Sequence, residues 1–245
     1  MTEIVTTLIN GRWELKLPEH RAVRPQWKIE NGGWETERLA AMHDAIEPGM
    51  VVFDVGAEEG DFPALFATWG GRVALFEPNP LVWPNIRFIW EANELEPPEG
   101  YFVGFACNKD NLTPNELEPI FAESAHDGWP ACAFGPVIGD HGFRNVSERF
   151  HDTPQIKLDT YGFNMDIAPD VITMDVEGAE LEVLKGAESI LRHNRPIVFV
   201  SIHPEFIKAM HGYADAEIHA FMDGVGYIGE HLATDHEEHW RFLPR

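Results

Sequence analysis

Cysteine is nearly absent from this chain: Cys107 and Cys132 are the only two in 245 residues. That is too few for a disulfide framework, and a chain of this length can bury enough surface to need no covalent staples. Long apolar runs are lacking as well. None approaches the roughly 18–20 consecutive apolar residues of a bilayer-spanning helix. The first residues carry Glu3, Arg12, Glu14, Lys16 and Glu19 where a secretion signal needs an apolar stretch. Together with the cysteine usage, this predicts a cytoplasmic protein. Basic residues are scarce, 18 Lys and Arg against 41 Asp and Glu, for a formal charge of −23. So acidic a chain repels phosphate backbones and anionic headgroups, and neither nucleic acid nor a membrane is an expected partner. No Gly-Lys-Ser/Thr phosphate loop and no Gly-x-Ser-x-Gly nucleophile elbow occurs.

What is present is an alternation. Residues 1–33 show no sustained periodicity and contain Trp13, Pro18, Pro25 and Trp27. They read as an irregular N-terminal arm packed on a body formed by residues 34–245, with Arg21, Arg24 and Lys28 solvated or ion-paired. Residues 34–46 have helical spacing at Leu39, Met42 and Ile46. Met50-Val-Val-Phe-Asp-Val55 is a continuous apolar run of the kind a strand buried on both faces requires. A short helix (62–69), a strand (72–77), a helix (80–93) and a strand (101–106) follow. After residue 169 the pattern resumes: strand 170–175, helix 179–193, strand 196–202, and helix 205–222 with a break near Gly212. Residues 226–230 and 239–243 complete it as an antiparallel hairpin. Strands alternating with helices predict an α/β fold, a mainly parallel central sheet with helices on both faces. Residues 107–169 fit this alternation least well and read as an insertion with short strands of its own, including residues 156–159. Its uncharged stretch 128–139 holds Trp129 and Phe134.

Open parallel sheets bind ligands beyond the carboxyl ends of their strands, so the strand ends are where chemistry is expected. The first core strand ends Asp54-Val-Gly-Ala-Glu-Glu-Gly60. Gly56 permits a tight turn and Gly60 repeats that freedom before the helix, but the spacing is not the Gly-x-Gly-x-x-Gly of a dinucleotide site. Glu58 and Glu59 beside a helix N-terminus would repel a pyrophosphate and tolerate a positively charged ligand. The second strand ends Phe76-Glu77-Pro78-Asn79-Pro80. An acid in that position can accept both hydrogen bonds of a ribose diol, although an exposed carboxylate at a strand end is the bland alternative.

The ordered motifs resemble those of the FkbM-type methyltransferases, which use S-adenosylmethionine. They are Asp54-Val-Gly-Ala-Glu-Glu-Gly60, Phe76-Glu-Pro-Asn-Pro80, Asn93, Met174-Asp-Val-Glu-Gly-Ala-Glu180 with Val183-Leu-Lys-Gly-Ala187, and Pro196-Ile-Val-Phe-Val-Ser-Ile-His203. The resemblance covers about residues 50–206 and implies a Rossmann-like class I methyltransferase fold. The activity it implies is O-methylation of a hydroxyl on a small molecule or glycan. It implies that Asp54, Gly56, Ala57, Glu58 and Gly60 hold the methionine end of the cofactor, with Glu77 and Pro78 at the ribose. Asn108, just past the third strand, is assigned to the adenine amine; a surface-turn role for it is the alternative. Two departures stand out: Glu58 where the family usually has Asn, and Ser201 where it usually has an acid.

A hydroxyl nucleophile must lose its proton, which calls for a general base or a metal. Asp175, Glu177 and His203 lie at the ends of consecutive strands and should share one cleft, with Asp175 near the cofactor as well. His203 is the expected base, because its ordinary pKa lies near neutrality. Structural roles compete: Asp175 as a turn cap, Glu177 as a complement to a helix dipole, His203 as a turn before Pro204. The same three side chains could also form an oxygen-and-imidazole metal site, so a divalent metal is compatible with the sequence, but none is predicted. His231, His236 and His239 are expected on solvated surface and both cysteines as inert thiols. A nicotinamide-dependent oxidoreductase and a catalytically idle, partner-binding relative remain the rival readings.

Overall fold

The structure, a computed structural model, describes residues 2–137, 139 and 153–245. The chain opens with two antiparallel strands, β1 (Ile4–Ile9) and β2 (Trp13–Pro18), where an irregular arm was expected. Two sequence signals account for the difference. Asn10 and Gly11 both take positive φ (51° and 66°) in the three-residue loop that joins Ile9 to Trp13. Trp13, Leu15 and Leu17 are buried while Glu14 is exposed, a half-buried strand of period two. A single-turn helix α1 (Glu19–Ala22) then leads through two short 3₁₀ turns to α2 (Thr36–Ala45).

The core alternation follows. It runs β3 (Val51–Val55), α3 (Asp61–Thr68), β4 (Arg72–Phe76), α4 (Trp83–Ala92) and β5 (Gly100–Phe102). The run expected as one strand to Ala106 breaks at Gly104, where a Cβ would stand 2.4 Å from the Pro154 carbonyl oxygen. The remainder, β6 (Phe105–Ala106), pairs with β7 (Gln155–Ile156) in a separate two-stranded sheet. Between them lies α5 (Pro114–Asp127), opened by a capping box of Thr113 and Glu116. The turn at Leu158 starts a helix, α6 (Leu158–Met165), rather than continuing a strand. Part of the stretch 128–139 and all of 140–152 lie outside the described residues.

The second half supplies β8 (Val171–Met174), α7 (Glu180–Gly186), α8 (Glu188–His193), β9 (Ile197–Ile202), α9 (Pro204–His211) and α10 (Ala216–Gly224). The chain closes on β10 (Tyr227–Thr234) and β11 (Glu238–Pro244), an antiparallel hairpin that joins the sheet through β9. The seven-stranded order is β10-β11-β9-β8-β3-β4-β5, with the five strands from β9 to β5 parallel.

The pleat divides the core in two. Val51, Phe53 and Val55 face a cluster with Leu181, Leu184, Leu191, Ile218 and Met222. Val52 faces the opposite cluster with Leu15, Leu39, Phe66, Ile86 and Trp90. The N-terminal hairpin therefore belongs to one of the two helical layers. Asn93 ties it there, its Oδ1 accepting from the Lys16 amide (2.9 Å) and its Nδ2 donating to the Lys16 carbonyl (2.8 Å). Among the described residues, no helix is long and apolar enough to cross a membrane.

Candidate active site

Strand order reverses between β3 and β8: from β3 the chain passes to β4 and β5 on one side, then returns to β8 on the other. The crevice beyond that switch point is where an open α/β sheet takes a ligand. Gly56 is obligatory there. At φ 90°, a Cβ on it would lie 2.0 Å from the carbonyl oxygen of Asp175, so only a bare backbone lets the loops after β3 and β8 meet. Its amide and that of the buried Ala57 donate to the Phe76 carbonyl, tying the turn to β4 (2.9 and 3.2 Å). Gly60, at φ 93°, is the N-cap of α3.

Asp54, at the end of β3, is buried, and its Oδ2 has no hydrogen-bond partner. Burial pushes its carboxyl up to about 7 even though the Arg38 charge pulls the other way. Glu77 follows β4 and is buried too. Its Oε2 accepts from the Glu58 amide (3.0 Å) and its Oε1 from the Asn79 amide (2.7 Å). Burial outweighs those two bonds and pushes the carboxyl up to about 8. Each oxygen keeps a second lone pair. Pro78, half-buried, turns the chain away from it.

The expectation that Glu58 and Glu59 leave free negative charge at this turn is corrected by their partners. Glu59 is buried against Arg21 (3.4 Å), His20 (2.8 Å) and Asn85 (2.8 Å), and Glu58 binds the Arg21 guanidinium with both oxygens (3.1 and 3.0 Å). The N-terminal segment offsets part of their charge, whereas Asp54 and Glu77 form no ion pair among the described residues. Asn108 donates its side-chain amide to Glu182, a contact that joins the segment after β6 to α7.

Asp175, Glu177 and His203 do come together. The His203 Nε2 lies 3.6 Å from Asp175 Oδ1 and 3.5 Å from Glu177 Oε2. Residues that sequence reasoning missed surround them. Glu180, fully buried, accepts from His203 Nδ1 at 2.8 Å and from the Gly178 amide at 2.9 Å. Glu237, from the turn between β10 and β11, forms an ion pair with His203 Nε2. Arg38, on α2, pairs with Glu35, lies 3.7 Å from Asp175 and donates to Thr173 Oγ1 at 3.0 Å. The Asp-Val-Glu-Gly-Ala-Glu motif was a signal for Glu180; nothing local marks Glu35, Arg38 or Glu237.

This geometry weighs against the role of base expected of His203. Both ring nitrogens face carboxylates, an arrangement that favours the imidazolium. Burial opposes the charge, but hydrogen bonds to Glu180 and Glu237 and the charges of Asp175 and Glu237 raise the pKa to about 11. An imidazolium at neutral pH cannot accept a proton. Asp175 is raised too: burial and the Glu237 charge hold its carboxyl well above the usual range, against the pull of Arg38 and His203. Glu177 is raised as well, by burial against the pull of His203. The backbone is strained here. Among the described residues, three of the seven non-glycine residues at positive φ are Glu35, Glu58 and Glu177.

Among the described residues, three groups of side chains bring ligand atoms within 4.8 Å of one another: Asp175, Glu177 and His203; Glu35, Glu237 and His239; and Asp235, His236 and His239. The tail histidines divide. His231 is exposed, His236 stacks on Trp34 (4.3 Å between ring centres), and His239 is buried with its Nδ1 3.1 Å from Ser201 Oγ. Solvated surface therefore fails to describe His239. Ser201, where an acid was expected, is buried beneath the cluster as its partner. Burial pushes the half-exposed Cys132 thiol up to about 11.

The residues fit an adenosine ligand that carries positive charge and no phosphate: a buried carboxylate oxygen without a partner at Asp54, and a ribose-ready acid at Glu77. A sheet of this order with these strand-end acids is a Rossmann-like class I methyltransferase fold. The family comparison is specific: residues 54–243 match the methyltransferase FkbM domain, and the chain belongs to that family. Among solved structures, it resembles the FkbM methyltransferase of Methylobacillus flagellatus KT (15% identity, TM-score 0.48, 84% of this chain and 50% of that one). It also resembles an rRNA methylase of Streptococcus thermophilus (10%, TM-score 0.49, 91% and 98%). A third is the magnesium protoporphyrin IX methyltransferase of Synechocystis PCC 6803, solved with bound SAM (12%, TM-score 0.45, 84% and 76%). The chain spans half the length of the FkbM structure. No curated protein matches.

Proposed function

We propose that this chain transfers a methyl group from S-adenosylmethionine to a hydroxyl of a small molecule or sugar. The observation that carries the reading is the row of acids along one carboxyl edge: Asp54 and Glu77 after neighbouring strands, and Asp175 across the switch point. Asp54 would take the cofactor's ammonium and Glu77 the ribose diol, while the turn 56–60 supports the methionine end. When bound, the cofactor supplies an electrophilic methyl group. Everything else falls to the chain's own residues. Asp175 is a third exposed and accepts the proton of the acceptor hydroxyl at a carboxylate oxygen. With its pKa raised by burial, the ionised carboxylate is a stronger base than an ordinary Asp. His203, as an imidazolium, holds Glu180, Glu237, Asp175 and Glu177 in register and partly offsets their charge. Alignment of the hydroxyl supplies much of the acceleration, since the displacement is in-line.

Isothermal titration of the folded protein with S-adenosylmethionine and its demethylated product tests the first half. Binding of both is the expected result; silence with both removes the reading. Methyl transfer to a panel of alcohols and sugars tests the second. Turnover only on amines or carbon nucleophiles would replace the O-methylation part.

A further inference from the structure

The N-terminal segment, which lies outside the family match, reaches into the glycine turn with one buried cation. Arg21 sits on α1, its backbone carbonyl held by the Trp27 indole N–H (2.6 Å), and its side chain is 2% exposed. A guanidinium has five N–H donors. Those on Nε, Nη1 and Nη2 meet three carboxylates, all from residues 58–61. Nε donates to Asp61 Oδ2 at 2.6 Å, and Nη2 contacts the same oxygen. Nη1 donates to Glu58 Oε1 (3.1 Å) and Glu59 Oε1 (3.4 Å), and Nη2 to Glu58 Oε2 (3.0 Å). His20, the preceding residue, takes the remaining oxygen of Glu59 at 2.8 Å.

The consequence reaches Glu77. Glu58 stands at φ 49°, a backbone state that a residue with a Cβ disfavours, and in that state its amide points at Glu77 Oε2 (3.0 Å). A fork gripping the Glu58 side chain therefore holds the amide on the acid assigned to the ribose. We propose that Arg21 is a positioning residue of the cofactor site, acting through Glu58 to set Glu77, so that the N-terminal segment is part of the cofactor-binding machinery. The inference rests on the reading given under Proposed function. It adds a residue that touches no ligand and that the family's motifs do not contain.

The test is a double-mutant cycle read by isothermal titration with S-adenosylmethionine, with thermal melts run alongside. The proteins are the wild type, Arg21→Lys, Glu58→Gln and the double variant. Lysine keeps the charge and loses the fork. Each single variant is expected to weaken cofactor affinity roughly tenfold, the scale of one displaced charge-assisted hydrogen bond. The double variant should be no weaker than the worse single, because both act on one route. Wild-type affinity in either single variant overturns the inference and leaves the proposed function standing. So do losses that multiply in the double variant. Should Arg21→Lys fail to fold, Glu58→Gln alone decides, since its side chain is half-exposed and its loss leaves Asp61 and Glu59 on Arg21. No binding by the wild type removes both readings, an outcome distinct from the others.

Discussion

At the scale of single residues, the site is governed by carboxyls driven away from their ordinary range by burial. Asp54 and Glu77 are held at about 7 and about 8, so near neutrality both carry protons for much of the time in the free protein. A ribose diol and an ammonium are better received by the ionised forms. Cofactor affinity should therefore rise from pH 6.5 to about 8.5 and then level, measurable by titration across that range; a flat profile would count against both assignments. Glu77→Ala should abolish most binding and remove the upper part of the rise. Asp175→Asn should lower kcat by about 10²–10⁴ with cofactor affinity retained, the usual weight of a proton acceptor. His203 has the opposite sign in stability. Its pKa is raised from 6.5 to about 11, so its contribution to folding is fully present below about 6.5 and is lost as pH rises through about 11. The melting-point advantage of the wild type over His203→Gln should accordingly shrink between pH 6.5 and 10.

At the scale of elements, what was legible and what was not divide by the kind of burial involved. Strands covered on both faces, such as β3 and β9, are continuous apolar runs and announce themselves. The helices between them carry one apolar side. The N-terminal hairpin was missed because β1 is nearly all exposed or half-buried, so its Ile4, Thr6 and Leu8 give no clear period. Its evidence lay in the alternation of β2 and in the Asn10-Gly11 turn. Tyr101–Ala106 failed for the opposite reason: composition favoured one strand, while the close approach of Pro154 at Gly104 is a tertiary fact. Asn93 shows how a motif residue acquires a physical role once the elements are placed. Its side chain supplies both hydrogen bonds for the Lys16 peptide groups on the open edge of β2. Asn93→Ala should cost about 1–3 kcal/mol by urea unfolding, two lost hydrogen bonds with part-buried groups left unmatched. It should also weaken cofactor binding, because the loosened hairpin leads directly into α1, which carries Arg21.

At the scale of the whole molecule, the site is assembled from segments that no local pattern joins. Asp175 and His203 end neighbouring strands, which the alternation reveals. Arg38 reaches β8 from a helix that precedes the sheet, 135 positions from Thr173 in the chain. Glu237 comes from the last hairpin, where a run of acids and histidines reads as surface. Side chains from α2, ahead of the sheet, and from the turn of the closing hairpin thus set the charge state at the centre. Glu237 and His203 bear on Asp175 with opposite signs: the first raises its carboxyl, the second lowers it. Their replacements should move the acidic limb of the pH–kcat profile in opposite directions. His203→Gln removes a cation and should shift that limb upward by about one pH unit, while Glu237→Gln removes an anion and should shift it downward by a similar amount. Methyl-transfer rates from pH 5.5 to 9 at saturating cofactor would measure both. Disappearance of the limb in His203→Gln would mean that it reports His203 itself. Asp175 would then be displaced as the proton acceptor.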